Sequence, residues 1–156
     1  KLNMDNYQDV RAVSKACGLR RREVQSLLYK DINVTDKGIY IDVRNAKGGR
    51  PRIVKANKTY EAELREVIRL KGPHAPNEHF INYKITKSLD IHSLRAEAAK
   101  ALYKELVDAR GPKKLTHEEE YRTRDGTGRV FDREILLKVS HFLGHNRLDV
   151  AVKHYL

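Results

Sequence analysis

The sequence predicts an α+β fold, mainly helical, with one small antiparallel β-hairpin near residues 38–56. Three observations lead there. Apolar residues recur at helical spacing in most of the chain, each stretch closed by Gly, Pro or a polar turn. One stretch, Gly38–Val43, alternates apolar and polar positions instead, and is followed by turn residues and a second extended run. The length, 156 residues, suffices for one core and is too short for two full-sized ones, so residues 1–156 read as a single domain.

Taken in order, the first helix covers Asp5 to Ala16, where Tyr7, Val10, Val13 and Ala16 fall three apart, and ends near Gly18. Cys17 is the only cysteine, so no internal disulfide can form, and a small buried side chain suits its apolar surroundings. A second helix should begin near Arg20 and bury Val24, Leu27 and Leu28. The hairpin follows: Gly38–Val43, a turn over Asn45-Ala-Lys-Gly-Gly49, and a return over Pro51–Val54. Its tip is basic. Lys47, Arg50 and Arg52 suit either a solvated edge that resists pairing or a finger that reaches a phosphate.

Thr59–Lys71 places Tyr60, Leu64, Val67 and Ile68 on one face and stops at Gly72-Pro73. His74 and His79, in the connection beyond, read as unpaired surface residues. Ile91 opens a long helix with Leu94, Ala98, Leu102 and Leu106 every fourth residue. From Gly111 to Asp132 the chain is polar, a long loop or small ribbon whose Gly126 and Gly128 lack the further glycine and preceding strand of a dinucleotide site. Asp132 suits an N-cap for the helix carrying Ile135, Leu136, Val139 and Leu143, with Gly144 as its stop.

Charge narrows the function. Lys and Arg number 32 against 21 acidic residues, a net +11, which favours a polyanionic partner. No apolar run approaches 20 residues and no signal-peptide pattern opens the chain, so a cytoplasmic location and no membrane partner are expected. His141 and His145, four apart, would need a glutamate directly after the first histidine to read as a zinc-protease helix. That place holds Phe142, so no metal and no cofactor are expected.

Three places gather anion-binding residues. Arg20, Arg21 and Arg22 crowd a helix start, where the macrodipole disfavours cations, with Glu23 placed to orient one guanidinium. His92 and Arg95 stand at i and i+3 near another helix start and can reach one anion together. His145 and, ten residues on, Tyr155 close the chain. A phenol is protonated near ~10 and is a poor nucleophile unless neighbouring groups support its charge.

These motifs together resemble the tyrosine recombinase (phage-integrase) family. Gly18-Leu19-Arg20-x-x-Glu23-Val24 is similar to its first arginine motif, Lys47 to the lysine of its hairpin turn, His92-x-Leu94-Arg95 to its second box, and Leu143-Gly144-His145 with Tyr155 to its last. The resemblance covers the chain from about Cys17 to Leu156. Two positions depart from the pattern: Ala96 stands where a second histidine is common, and Tyr155 follows His145 by ten residues rather than nine, leaving His154 in the usual slot.

The resemblance implies a recombinase catalytic-domain fold with Arg20, Lys47, His92, Arg95, His145 and Tyr155 as catalytic residues. Arg21, Arg22, Arg50 and Arg52 are expected to contact DNA. Tyr155 would attack a DNA phosphodiester to give a 3′-phosphotyrosine, with Arg20 and Arg95 clamping the phosphate and His145 bonding a non-bridging oxygen. Lys47 would protonate the leaving oxygen, and His92 would accept and return a proton. The implied function is site-specific recombination of double-stranded DNA by a bacterial or phage-encoded, nucleoid-associated protein; type IB topoisomerase-like relaxation and a non-catalytic nucleic-acid-binding module are the alternatives.

Other recombinase protomers are implied as partners in a tetrameric synapse at full length. The sequence is then expected to be a fragment, lacking an N-terminal DNA-clamping domain and a C-terminal tail. Tyr155 would sit on a loosely held terminus that could fall outside the pocket of Arg20, His92 and Arg95, and its hydroxyl should contribute little to folding.

Overall fold

The helix α1 (Gln8–Cys17) lies at the centre of the packing in the computed structural model, which describes residues 1–44, 51–145 and 147–156. Val10, Ala12, Val13, Ala16 and Cys17 have no exposed surface. Small residues at these positions let α3 (Lys58–Lys71) and α4 (Ile91–Arg110) approach α1 closely, and each fully buried Val or Leu on this seam contributes about 1.5–3 kcal/mol. Burial pushes the Cys17 thiol well above its ordinary range, which keeps it a neutral packing group. The helix stops at Gly18, whose φ of 63° closes a bond from its N–H to the Ser14 carbonyl.

The architecture is α+β and mainly helical. The expected hairpin is β2 (Gly38–Val43) and β3 (Arg52–Lys55), paired antiparallel with Val43 opposite Arg52 and Tyr40 opposite Lys55. A strand that the sequence pattern did not suggest, β1 (Ile32–Thr35), adds to the other edge of β2 with Ile32 opposite Ile41, so the sheet has three strands in the order β1-β2-β3. Four residues are too few for a clear period-two signal.

The second expected helix is shorter than its apolar spacing suggested. The helix α2 (Arg21–Ser26) ends before Leu27, which is extended yet only 4% exposed. The chain from Leu27 to Lys30 instead bonds backbone-to-backbone with 76–80: Phe80 N–H to the Leu27 carbonyl, and Tyr29 N–H to that of Glu78. These long-range bonds outcompete one more helical turn. His74, expected to be unpaired, bonds Glu78 at 2.7 Å and stacks on Tyr29 at 4.4 Å between ring centres.

Asn57 caps α3 by accepting from the Tyr60 N–H, and Asp90 caps α4 by accepting from Ser93. The polar segment after α4 forms a small ribbon, β4 (Glu120–Arg122) against β5 (Val130–Asp132). Asp132 then accepts from the N–H groups of Glu134 and Ile135 to start α5 (Arg133–Phe142), and α6 (Leu148–Tyr155) packs back on α4 and α5. Among the described residues, no helix is long and apolar enough to cross a membrane.

Candidate active site

The connection between α5 and α6 is held by three arginines that arrive from three different elements. Arg52 Nε on β3 donates to the Phe142 carbonyl at 3.2 Å. Arg95 Nη2 on α4 donates to the Leu143 carbonyl at 2.6 Å, and Arg20 Nη2, at the start of α2, to that of Gly144 at 3.4 Å. Three consecutive carbonyls at a helix C-terminus thus each face a cation, which satisfies acceptors that α5 leaves open and suits the negative end of its dipole. Gly144 makes the approach possible. With φ of 84°, it presents no side chain where a Cβ would come within 2.9 Å of both Arg20 Nη1 and Arg52 Nη1.

Glu23 ties two of these arginines together. Its carboxylate accepts from the Arg20 backbone N–H at 2.9 Å and from Arg20 Nη1 at 3.3 Å, and receives both Arg52 terminal nitrogens, at 2.8 and 3.0 Å. Burial pushes this carboxyl up, but the hydrogen bonds and charge of Arg52, joined by Arg20, outweigh it, and its pKa lies below the usual range. Arg20, Arg52 and Arg95 against Glu23 leave the site with an excess of positive charge.

Arg95 is the most deeply set, with 5% exposure. Its Nε donates to the Gly18 carbonyl at 2.9 Å and its Nη1 to the Tyr155 hydroxyl at 2.7 Å. Burial, opposed by Tyr155 and aided by the nearby Arg20 charge, pulls the guanidinium down to about 10, so it stays charged at neutral pH. Tyr155 is 8% exposed and its ring centre lies 4.8 Å from the Arg95 guanidinium carbon. The expectation of a loosely held tyrosine outside the pocket is therefore corrected: Arg95 and the packing of α6 on α4 and α5 hold Tyr155 inside it.

Both histidines flank the phenol. The ring of His92 stacks on that of Tyr155 at 4.7 Å, and His145 lies nearly parallel to it at 5.8 Å. Burial first, then the charges of Arg95, Arg20 and Arg52, pull the His145 imidazolium down to about 4, which makes it neutral at pH 7. Its Nε2 is buried and has no hydrogen-bond partner among the described residues, an open donor or acceptor beside three cations. His92 Nε2 faces the His154 carbonyl at 2.7 Å and must carry the hydrogen there, which leaves Nδ1 as its accepting nitrogen.

Of the residues that the sequence singled out, Arg20, His92, Arg95, His145 and Tyr155 come together here. Lys47 and Arg50 lie outside the described residues. Arg21 donates at 2.6 Å to the carbonyls of Thr86 and of Leu89, so it clamps the turn before α4, while Arg22 is exposed. Arg52, expected to contact DNA, turns inward with its side chain 12% exposed. Sequence reasoning gave Arg52 a DNA contact and not this inward pairing, and the signal that could have found the pairing was Glu23, a buried acid that takes more than one cation. Among the described residues, no group of three or more His, Cys, Asp or Glu is placed to hold a metal ion.

No family profile and no curated protein matches the sequence. Among solved structures, the chain is similar to the crystal structure of XerA recombinase, with a TM-score of 0.53 and 17% identity. The match covers 97% of this chain and 55% of the other, so the chain spans about half the length of that protein. At this identity the likeness is one of fold.

Proposed function

We propose that the chain is the catalytic domain of a DNA strand-breaking and rejoining enzyme of the tyrosine recombinase kind, acting on double-stranded DNA. The observation that carries this reading is the Tyr155 hydroxyl, held 2.7 Å from a buried guanidinium and flanked by His92 and His145. A phenol in a lone surface position could not attack a phosphodiester; one set among fixed cations and imidazoles can, because charge on the transferring phosphoryl oxygens is met by groups already in place. The similarity in fold to XerA recombinase supports the same reading.

In the proposed reaction the Tyr155 oxygen attacks the phosphorus and the bond to the 5′-oxygen breaks, giving a 3′-phosphotyrosine and a 5′-hydroxyl. Arg20 and Arg95 draw the non-bridging oxygens, and neutral His145 donates from Nε2 to one of them. The phenol proton passes to Nδ1 of His92, and Lys47 protonates the departing 5′-oxygen. For Arg95 to grip the phosphate, its Nη1 must share or exchange the bond to Tyr155 when DNA enters. Rejoining is the reverse attack by a 5′-hydroxyl, and in a synapse of protomers that hydroxyl would come from another strand.

The test is a duplex nicked just beyond the cleavage point, so that the released fragment diffuses away and the covalent complex accumulates. A protein–DNA adduct that maps to Tyr155 is expected. An adduct on another residue, or none under conditions where the DNA is bound, would overturn the proposal.

A further inference from the structure

We propose that Arg52 is a positioning residue for this cleavage, acting through Glu23 on Arg20 and through the Phe142 carbonyl on the turn that carries His145; the inference rests on the strand-cleavage reading above. In the sequence Arg52 is one of three cations near a hairpin tip, the usual profile of a phosphate contact. In the structure every nitrogen of its guanidinium faces the protein. Nη1 and Nη2 grip the two oxygens of Glu23 at 2.8 and 3.0 Å, and Nε bonds the Phe142 carbonyl at 3.2 Å. A two-pronged contact of this kind fixes the plane of the carboxylate, which a lysine cannot do.

The consequence reaches Arg20 because the two arginines share one oxygen. Glu23 Oε2 lies 2.8 Å from Arg52 Nη1 and 3.3 Å from Arg20 Nη1. The side chain of Glu23 is 1% exposed, so water cannot replace a lost partner. Without Arg52 the carboxylate is left to Arg20 alone and rotates onto it, drawing that guanidinium away from where a phosphate oxygen would sit. At the same time the Phe142 carbonyl loses its cation, and the Leu143-Gly144-His145 turn loses one of its three anchors. Arg52 stands on β3 opposite Val43 of β2, so the same contacts tie the hairpin to α2 and to the α5–α6 turn. One side chain thus sets the relative placement of α2, the hairpin and the α5–α6 turn.

Single-turnover cleavage of the nicked duplex, at saturating protein, compares the full chain with Arg52→Lys and Arg52→Gln, alongside thermal melting and DNA affinity against salt. The expected result for Arg52→Lys is a fall in cleavage rate of about 100-fold, the scale of a displacement near 1 Å in a site, with DNA affinity retained. In an Arg20→Ala background, where the contact that Arg52 is proposed to position is already gone, Arg52→Gln should leave the log-log salt slope unchanged, whereas a direct phosphate contact by Arg52 would lower it by about 0.9. In a Glu23→Gln background, Arg52→Lys should cost little more. A cleavage rate kept in Arg52→Lys, a salt slope reduced by Arg52→Gln in the Arg20→Ala background, or losses that multiply in the double variant with Glu23→Gln would overturn the inference. If the unmodified chain forms no adduct, the strand-cleavage reading fails by itself. The positioning is then decided by the NMR signal of the Arg20 Nε–H group: it should shift in Arg52→Lys, and an unmoved signal overturns the proposal.

Discussion

Arg95 donates to the hydroxyl of Tyr155 across 2.7 Å, joining the interior of α4 to the last turn of α6. The bond does two things at once. It sets the phenol oxygen within the cationic cluster, and it gives a buried guanidinium nitrogen an acceptor that it would otherwise lack.

Tyr155→Phe should therefore abolish the covalent adduct and also destabilise the fold, by about 1–3 kcal/mol, because the Arg95 nitrogen is left buried without its partner. This revises the expectation that the hydroxyl contributes little to folding. DNA binding of the folded protein should persist. Urea melts of the two proteins decide the point, and equal midpoints would show that the bond carries no stability.

Arg20 and Arg95 should separate in a second way. Arg95 makes three bonds from a site 5% exposed, while the side chain of Arg20 is 19% exposed and makes longer ones. Both alanine variants should lose cleavage by about 10²–10³-fold. Arg95→Ala should in addition cost about 3 kcal/mol of stability, since the Gly18 and Leu143 carbonyls lose their donor. If Arg20→Ala proves the less stable of the two, the assignment of Arg95 as the structural anchor is wrong.

The depressed pKa of His145 predicts a pH window. In the unfolded chain the imidazole titrates near ~6.5, and in the folded protein near about 4. Above the first value neither state binds the proton and the stability is fully present. As pH falls from there towards the folded value, the unfolded chain takes up a proton that the folded one refuses, so stability is lost. The melting temperature should drop across that range, less steeply in His145→Gln. Identical slopes, or a His145 ring signal titrating at the ordinary value, would count against the burial and charge described here.

Gly144 and Gly111 offer a matched pair. Their φ angles are 84° and 82°, yet a Cβ at Gly111 meets nothing within 4 Å while one at Gly144 strikes Arg20 and Arg52. Gly111→Ala should cost only the backbone strain, about 1–3 kcal/mol. Gly144→Ala should cost more and should slow cleavage by displacing both guanidiniums. Thermal melts and single-turnover rates on the two variants check this, and equal effects would mean that the turn does not need its close approach.

The helices and the central hairpin were legible because apolar spacing, caps and glycines are local signals: Gly18, Asp132 and Gly144 act where the sequence puts them. The residues gathered at the site were legible as chemistry-bearing motifs, since Arg20, His92-x-x-Arg95, His145 and Tyr155 each sit at a helix end or beside one. What the sequence could not decide was which cation faces which acceptor. Arg21 and Arg20 are neighbours in the chain, yet one clamps the 86–89 turn and the other meets Gly144 across 124 positions. Arg52 looked like an edge residue until Glu23, 29 positions away, took both its prongs. Likewise α2 stopped early because the backbone groups that follow it found partners in the distant 76–80 segment. Burial makes such pairings obligatory, for an unpaired charge or amide inside the protein costs more than any local preference gains. Only the packed fold fixes which partner is in reach.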